Sequence, residues 1–301
     1  MAHRNDLSRS RLAWQSKLVL LAVLPFAAAD VVLQTHWWAT QMAQVAVLTV
    51  GMSVLLGLVV LKLRAATPGG TFAGAVLTAS LIFSTLTVPY RPWQTALIPV
   101  LAVSLLAWLS TRMGWEEKAR LGTAEKRHGR TASQVAANLG VAALASNGLA
   151  QSWLSGIPWL TRATTAPMPL FAVGLAALAE AAADTVSSEL GQVIGGKPRL
   201  ITTLRPVEPG TDGGVSLIGT LAGAAAAAIV ALAGTLATRG DFAVFWISCA
   251  GGLFGLFFDS VLGATLERRG WLNNDAVNFL STASAAAFAL GLMAVLAHFD
   301  G

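Results

Sequence analysis

The sequence predicts an all-α, polytopic transmembrane helical bundle of about nine helices with a cytoplasmic N-terminus. Of 301 residues, 55% are hydrophobic and only 12% are charged, where a soluble domain carries about 25% charged residues. Mean hydropathy is +0.64. The apolar residues fall in runs of roughly 20, the length that crosses hydrocarbon as a helix. The third observation is the distribution of positive charge, taken up once the helices are in order.

Residues 1–17 read as a basic N-terminal segment, with Arg4, Arg9, Arg11 and Lys17, and residues 18–301 as one multi-helix transmembrane domain. The first apolar run, about Leu18 to Leu33, is interrupted by Asp30. A basic start and the small residues Ala27 to Ala29 give it the look of a signal peptide. An uncleaved first helix fits the charge pattern better. An uncharged turn, QTHWWATQ, is expected next, with Trp37 and Trp38 in an interfacial belt.

Further helices are predicted over about Gln41 to Leu61, Pro68 to Val88, Trp93 to Ser110, Ser133 to Leu154, Pro169 to Leu190, Gly214 to Thr238, Phe242 to Leu266 and Ala276 to His298. With the N-terminus inside, only Arg91, Arg162 and Arg239 of the 20 Lys and Arg residues fall outside. That asymmetry is the positive-inside pattern. It puts the loops 112–132, 191–212 and 267–275 together on the cytoplasmic side. The membrane expected is the inner, cytoplasmic one.

The composition also excludes several classes. One Cys, Cys249, rules out an internal disulfide framework or a cysteine-built metal site. The net charge of +5 reads as orientation signal. No aromatic–basic interleaving of the kind single-strand binders use is present, so nucleic acid is not an expected partner. The bilayer itself is.

The chemistry gathers between Glu180 and Gly219. Glu180, Asp184 and Ser188 recur at i, i+4, i+8 and share one helix face. Gly251, Gly255, Asp259 and Gly263 share the same spacing. Small residues let helices approach closely, so Asp259 is expected on a packing face. An acid at membrane depth is a functional candidate, although Glu180 also suits a structural acid bonded to a neighbouring Asn or Ser. Two carboxylates, Asp184 and Asp259, beside Lys197, Arg199 and Arg205 suit Mg2+ holding a polyphosphate. The same three cations also read as orientation signals. GTDGG, residues 210–214, offers backbone N–H groups at a helix start, a natural anion site. Gly191 to Lys197 matches the spacing of a P-loop, but Pro198 stands where Ser or Thr is needed and an apolar helix precedes it.

ADTVSSELG, PRLITT, GTDGGVSLIGTLAG, FDSVLGAT and NNDAVNFLS occur in that order. Together with EEKARLGTAEKRHGRTASQVAAN upstream, they resemble a family of integral membrane proteins that includes transmembrane protein 19 and the phytyl-phosphate kinases of plants and cyanobacteria. The resemblance covers residues 69–301. More distantly, DTVSSELGQVIGGKP followed by GGVSLIG, and then FDSVLGA, looks like the CTP-using phytol and dolichol kinases. The resemblance implies a membrane transferase passing a phosphoryl group from CTP to an isoprenoid monophosphate.

Carried over residue by residue, Asp184 and Asp259 would hold metal and, with Lys197, carry catalysis. Ser188, Glu189 and Ser260 would serve the nucleotide. Lys197, Arg199, Thr202, Thr203, Arg205, Gly213, Gly214 and Ser216 would surround phosphates, and Asn274, Asp275 and Asn278 would close the site. The chain departs from the pattern at Val186 and Ser187, at Asp212 where Asn is usual, and in lacking a cysteine-rich insert between Glu267 and Asn274. The rival reading is a transporter or lipid translocator, since intramembrane acids also mark ion pathways.

Overall fold

The structure, a computed structural model, describes residues 12–122, 129–148, 156 and 170–299. The far N-terminal arginines, residues 123–128 with His128, the expected end of the fifth helix (149–154), Arg162 and Pro169 lie outside the described residues. Ten α-helices are described: α1 (Ala13–Gln41), α2 (Ala43–Lys62), α3 (Pro68–Thr85), α4 (Leu97–Arg112), α5 (Trp115–Leu121), α6 (Ala132–Ser146), α7 (Phe171–Ile194), α8 (Leu217–Thr238), α9 (Phe242–Leu262) and α10 (Asn274–Phe299). Nine correspond to the predicted segments; α5 is a short addition inside the 112–132 loop. The chain is an all-α polytopic bundle.

Among the described residues six helices, α1, α2, α7, α8, α9 and α10, are long and apolar enough to cross a membrane singly, α9 together with the turn that follows it. α4 and α5 join across a 65° bend and pass the same test as a pair. α6, at 15 residues, reaches only about 22 Å, short of the ~30 Å core.

Two local expectations change. The turn expected at residues 34–41 is helical, and α1 breaks only at Met42 (φ −157°, ψ 81°); QTHWWATQ contains neither Gly nor Pro to end it. Asp30 does not interrupt α1 either. It is buried and accepts a 2.6 Å hydrogen bond from the Ser80 hydroxyl of α3, which offsets the cost of placing it among helices.

α7 is the centre. It packs against α8, α9, α10, α6 and α4, and every residue from Phe171 to Ala183 is buried. Small residues permit this. A Cβ on Gly223 of α8 would lie 2.8 Å from the Ala183 carbonyl oxygen, and one on Gly252 of α9 2.8 Å from the Ala179 Cβ. Only glycine lets these backbones meet so closely. α1 packs on α6, α3 and α2. Its start is tied to the loop before α10, where the Gln15 side chain bonds the Trp271 carbonyl and the Asn273 N–H.

Between α7 and α8 the chain makes a small antiparallel pair, β1 (Arg199–Leu200) with β2 (Gly214–Val215). Gly213 (φ +74°) brings the end of this hairpin against α9's exit. A Cβ there would stand 2.4 Å from the Ala264 nitrogen.

Candidate functional site: an acidic cleft beside an apolar cavity

The i, i+4 face of α7 climbs from buried Glu180, 1% exposed, through half-buried Asp184 to exposed Ser188. α9 brings Asp259 to it. The Asp184 and Asp259 carboxyl groups stand close enough for their charges to interact, and Ser281 of α10 lies beside Glu180 and Asp259. Gly255 makes room: a Cβ there would fall 2.5 Å from the Glu180 Cγ. Beyond Asp259 the helix widens into a π-turn over Gly263–Glu267, a distortion frequent at functional sites. It turns Glu267 toward the same space.

A cleft of about 240 Å3 opens between α7, α9, the start of α10 and the hairpin, with Glu180 buried beneath it. Asp184, Asp212, Asp259 and Glu267 all line it, and no Lys or Arg is among the lining residues described. Arg130 reaches from the loop before α6 into electrostatic contact with Asp184 and donates to the Thr185 hydroxyl at 3.3 Å.

The predicted residues divide into two groups. Asp184, Ser188, Asp259, Ser260, Gly213, Gly214, Ser216, Asn274 and Asn278 line the cleft together. Ser216 also caps α8, accepting from the Gly219 N–H at 3.1 Å. Lys197, Arg199, Thr202, Thr203 and Arg205 do not line it; they are exposed on the hairpin above. Arg199 donates to the Leu204 carbonyl at 2.9 Å. The hairpin's pairing directs Pro198 inward and leaves its basic neighbours outward, so these cations meet only what approaches from outside. Asp275 is buried beside the site. Glu189 turns away from the cleft and pairs with Lys118 at 2.6 Å.

Arg130 and Lys118 are functional neighbours that the sequence alone does not mark. Both sit in the charged 112–132 stretch, and nothing in their spacing marks them as buried or paired.

The donor set bears on the expected Mg2+. Among the described residues no three His, Cys, Asp or Glu side chains converge to hold a metal by themselves. Magnesium asks for less, one or two carboxylates with phosphates and water completing its shell. Asp184 and Asp259 supply that pair. Two ionised carboxylates in contact repel, and a cation between them removes the repulsion. Asp259 Oδ1 is buried without a partner in the protein. The residues fit a magnesium–phosphate complex rather than a closed protein cage.

A second cavity, about 500 Å3 and mostly apolar, lies between α2, α3, α4 and α6, with Arg130 at its edge.

A polytopic bundle with buried acids at one mouth defines an integral membrane protein with a polar site. The chain belongs to the DUF92 family of integral membrane proteins, whose pattern matches residues 51–286. It is 36% identical to a membrane protein of Synechocystis over 204 residues, 67% of this chain and 75% of that one. It is 46% identical to a membrane protein of Methanocaldococcus jannaschii over 108 residues, 36% of this chain and 45% of the relative. It is 29% identical to the chloroplastic protein VTE6 of Arabidopsis thaliana over 213 residues, 68% of this chain and 60% of VTE6. The matched stretch thus spans less than half of the archaeal protein. No solved structure matches this chain.

Proposed function

We propose that this protein is a membrane-embedded kinase of the cytoplasmic membrane, transferring the terminal phosphoryl group of a nucleotide, CTP, to an isoprenoid monophosphate. The observation that carries the reading is the pairing of a carboxylate cleft with an apolar cavity across Asp184 and Arg130. A nucleotide–metal complex suits the first and an apolar acceptor the second. The motif resemblance to phytyl-phosphate kinases and the likeness to VTE6 support it.

In this reaction an acceptor phosphate oxygen attacks the γ-phosphorus. A new P–O bond forms as the bond from that phosphorus to its bridging oxygen breaks, leaving CDP and a prenyl diphosphate. The attacking oxygen is already anionic, so no histidine base is required. Phosphoryl transfer rests on positioning and charge stabilisation. Mg2+ held by Asp184 and Asp259 would screen the nucleotide's phosphates. Arg130 would steady the charge at the transferred group from the acceptor side. Gly213 and Gly214 allow close backbone approach to phosphate. Lys197, Arg199 and Arg205 would meet the nucleotide as it enters.

A cation transporter is the competing reading. It is favoured by Glu180, fully enclosed between α7, α9 and α10 with Oε1 unpartnered in the protein. The deciding experiment incubates purified protein with Mg2+, labelled CTP and phytyl, geranylgeranyl or farnesyl monophosphate. Label in a lipid diphosphate, lost in Asp184→Asn, is expected. No transfer from folded protein with any nucleotide would overturn the kinase reading in favour of ion flux.

A further inference from the structure

The apolar cavity has a built polar end. Leu56, Val60, Val100, Val103, Val135 and Leu139 line its walls. Three cations, Arg64, Arg112 and Arg130, line the same space at the end where α2 and α4 finish and α6 begins. Arg112 is fixed there, donating to the Leu63 carbonyl at 2.8 Å and lying 4.6 Å over the Trp108 ring. Two further lining residues, Trp108 and Thr71, bury Nε1 and Oγ1 without a partner in the protein. A buried N–H or hydroxyl left unpaired costs stability, and a ligand acceptor atom reaching either would offset that cost.

The cavity also touches the acidic cleft. Asn138 lines the cavity, Asn278 lines the cleft, and the Asn278 side-chain amide donates from Nδ2 to Asn138 Oδ1 at 3.4 Å. Arg130 lines the cavity and faces Asp184. A volume of about 500 Å3 is within the ~300–1,000 Å3 of small-molecule sites.

We propose that this cavity is the acceptor subsite: it takes the single apolar chain of a phosphate monoester, whose phosphate is received by Arg64, Arg112 and Arg130 at the mouth. The assignment rests on the kinase reading for its choice of an isoprenoid monophosphate over a phospholipid. Shape and charge alone ask for an apolar chain with an anionic head. Arginine suits the head because its fork matches phosphate oxygens in pairs. The placement of Arg130 brings the acceptor phosphate to the Asp184 side of the cleft.

The test is photolabelling without nucleotide, on purified protein in phosphatidylcholine nanodiscs, with geranylgeranyl monophosphate carrying a diazirine at its tail. Label is expected within residues 56–78 and 100–108. It should be displaced by unlabelled geranylgeranyl monophosphate and not by geranylgeraniol or inorganic phosphate. Arg112→Gln with Arg130→Gln should weaken binding by about tenfold or more. Ala75→Phe, which fills the cavity, should do the same while thermal unfolding shows it folded. Asp184→Asn should still bind. Label confined to other helices, or binding unchanged in folded Ala75→Phe, overturns the subsite. Stronger labelling of the same residues by photoreactive phosphatidylglycerol overturns the acceptor assignment in favour of a resident lipid. Binding without turnover sinks the kinase reading alone; turnover with an unchanged KM in Ala75→Phe sinks the subsite alone.

Discussion

Lys118 Nζ stands 2.6 Å from Glu189 Oε2, with the two side chains 1% and 15% exposed. The same ammonium donates to the Ser110 and Thr111 carbonyls at 3.0 and 2.7 Å, and the Thr111 hydroxyl donates to Glu189 Oε1 at 3.1 Å. α5 is thereby locked onto the end of α4 and the last turns of α7, at the polar end of the apolar cavity, which Thr111 and Trp115 line.

Removing one partner of this pair strands the other. Lys118→Met should cost about 2–3 kcal/mol, below the ~3–5 of a fully enclosed pair because Glu189 keeps some solvent. Lys118→Met with Glu189→Met should recover most of the loss. Unfolding midpoints of the three variants in detergent check this; equal destabilisation by single and double variants would assign the effect to packing instead.

Asp184→Asn and Asp259→Asn should each lower turnover by about 100-fold or more. Neither should lower the unfolding midpoint, because each removes one of two neighbouring like charges. Activity near wild type in either, on equal amounts of protein, would take that residue out of the chemistry.

Gly255→Ala should destabilise by about 1–3 kcal/mol and cut activity. Its new Cβ would fall 2.5 Å from the Glu180 Cγ, 2.8 Å from the Ala285 Cβ and 3.0 Å from the Ser281 carbonyl oxygen. Gly291→Ala, on α10 with nothing within 4 Å, is the matched control. It should be neutral or stabilising by up to about 1 kcal/mol.

Orientation has its own check. A cysteine replacing Lys197 in a Cys249→Ser background should react with an impermeant reagent only from the cytoplasmic side. Labelling from outside would reverse the topology and put the cleft out of reach of cytoplasmic nucleotide.

The apolar runs and the glycine spacing were legible because they depend on local sequence. Gly251 and Gly255 put Asp259 on a packed face simply by recurring every four residues, and the structure packs that face against α7 and α10. What stayed hidden depends on long-range pairing. Lys118 reads as one more charge in a basic loop, since its carboxylate lies 71 residues further on. Arg130 is likewise defined by Thr185 and Asp184. The outward turn of Lys197 and Arg205 follows from β1 and β2 pairing, which two residues per strand cannot announce. Residues 34–41 have the polar and aromatic composition of an interfacial turn, yet they continue α1 because backbone pairing with the preceding turn runs on to Gln41.

The seclusion of α7 bears on how the chain is made. Among the six described helices long and apolar enough to span, it is the most enclosed and the least apolar, and it carries Glu180, Asp184 and Glu189. Presented alone to lipid as it leaves the ribosome, such a segment partitions poorly, because each central acid costs about 2.5–3.5 kcal/mol. Its stable place in the bilayer exists only once α4 and α6, made before it, and α8 to α10, made after it, are there to surround it. Biogenesis is therefore tied to the site: the acids at the heart of α7 make its insertion depend on the whole bundle, and truncation before α10 should leave α7 accessible to a translocation reporter.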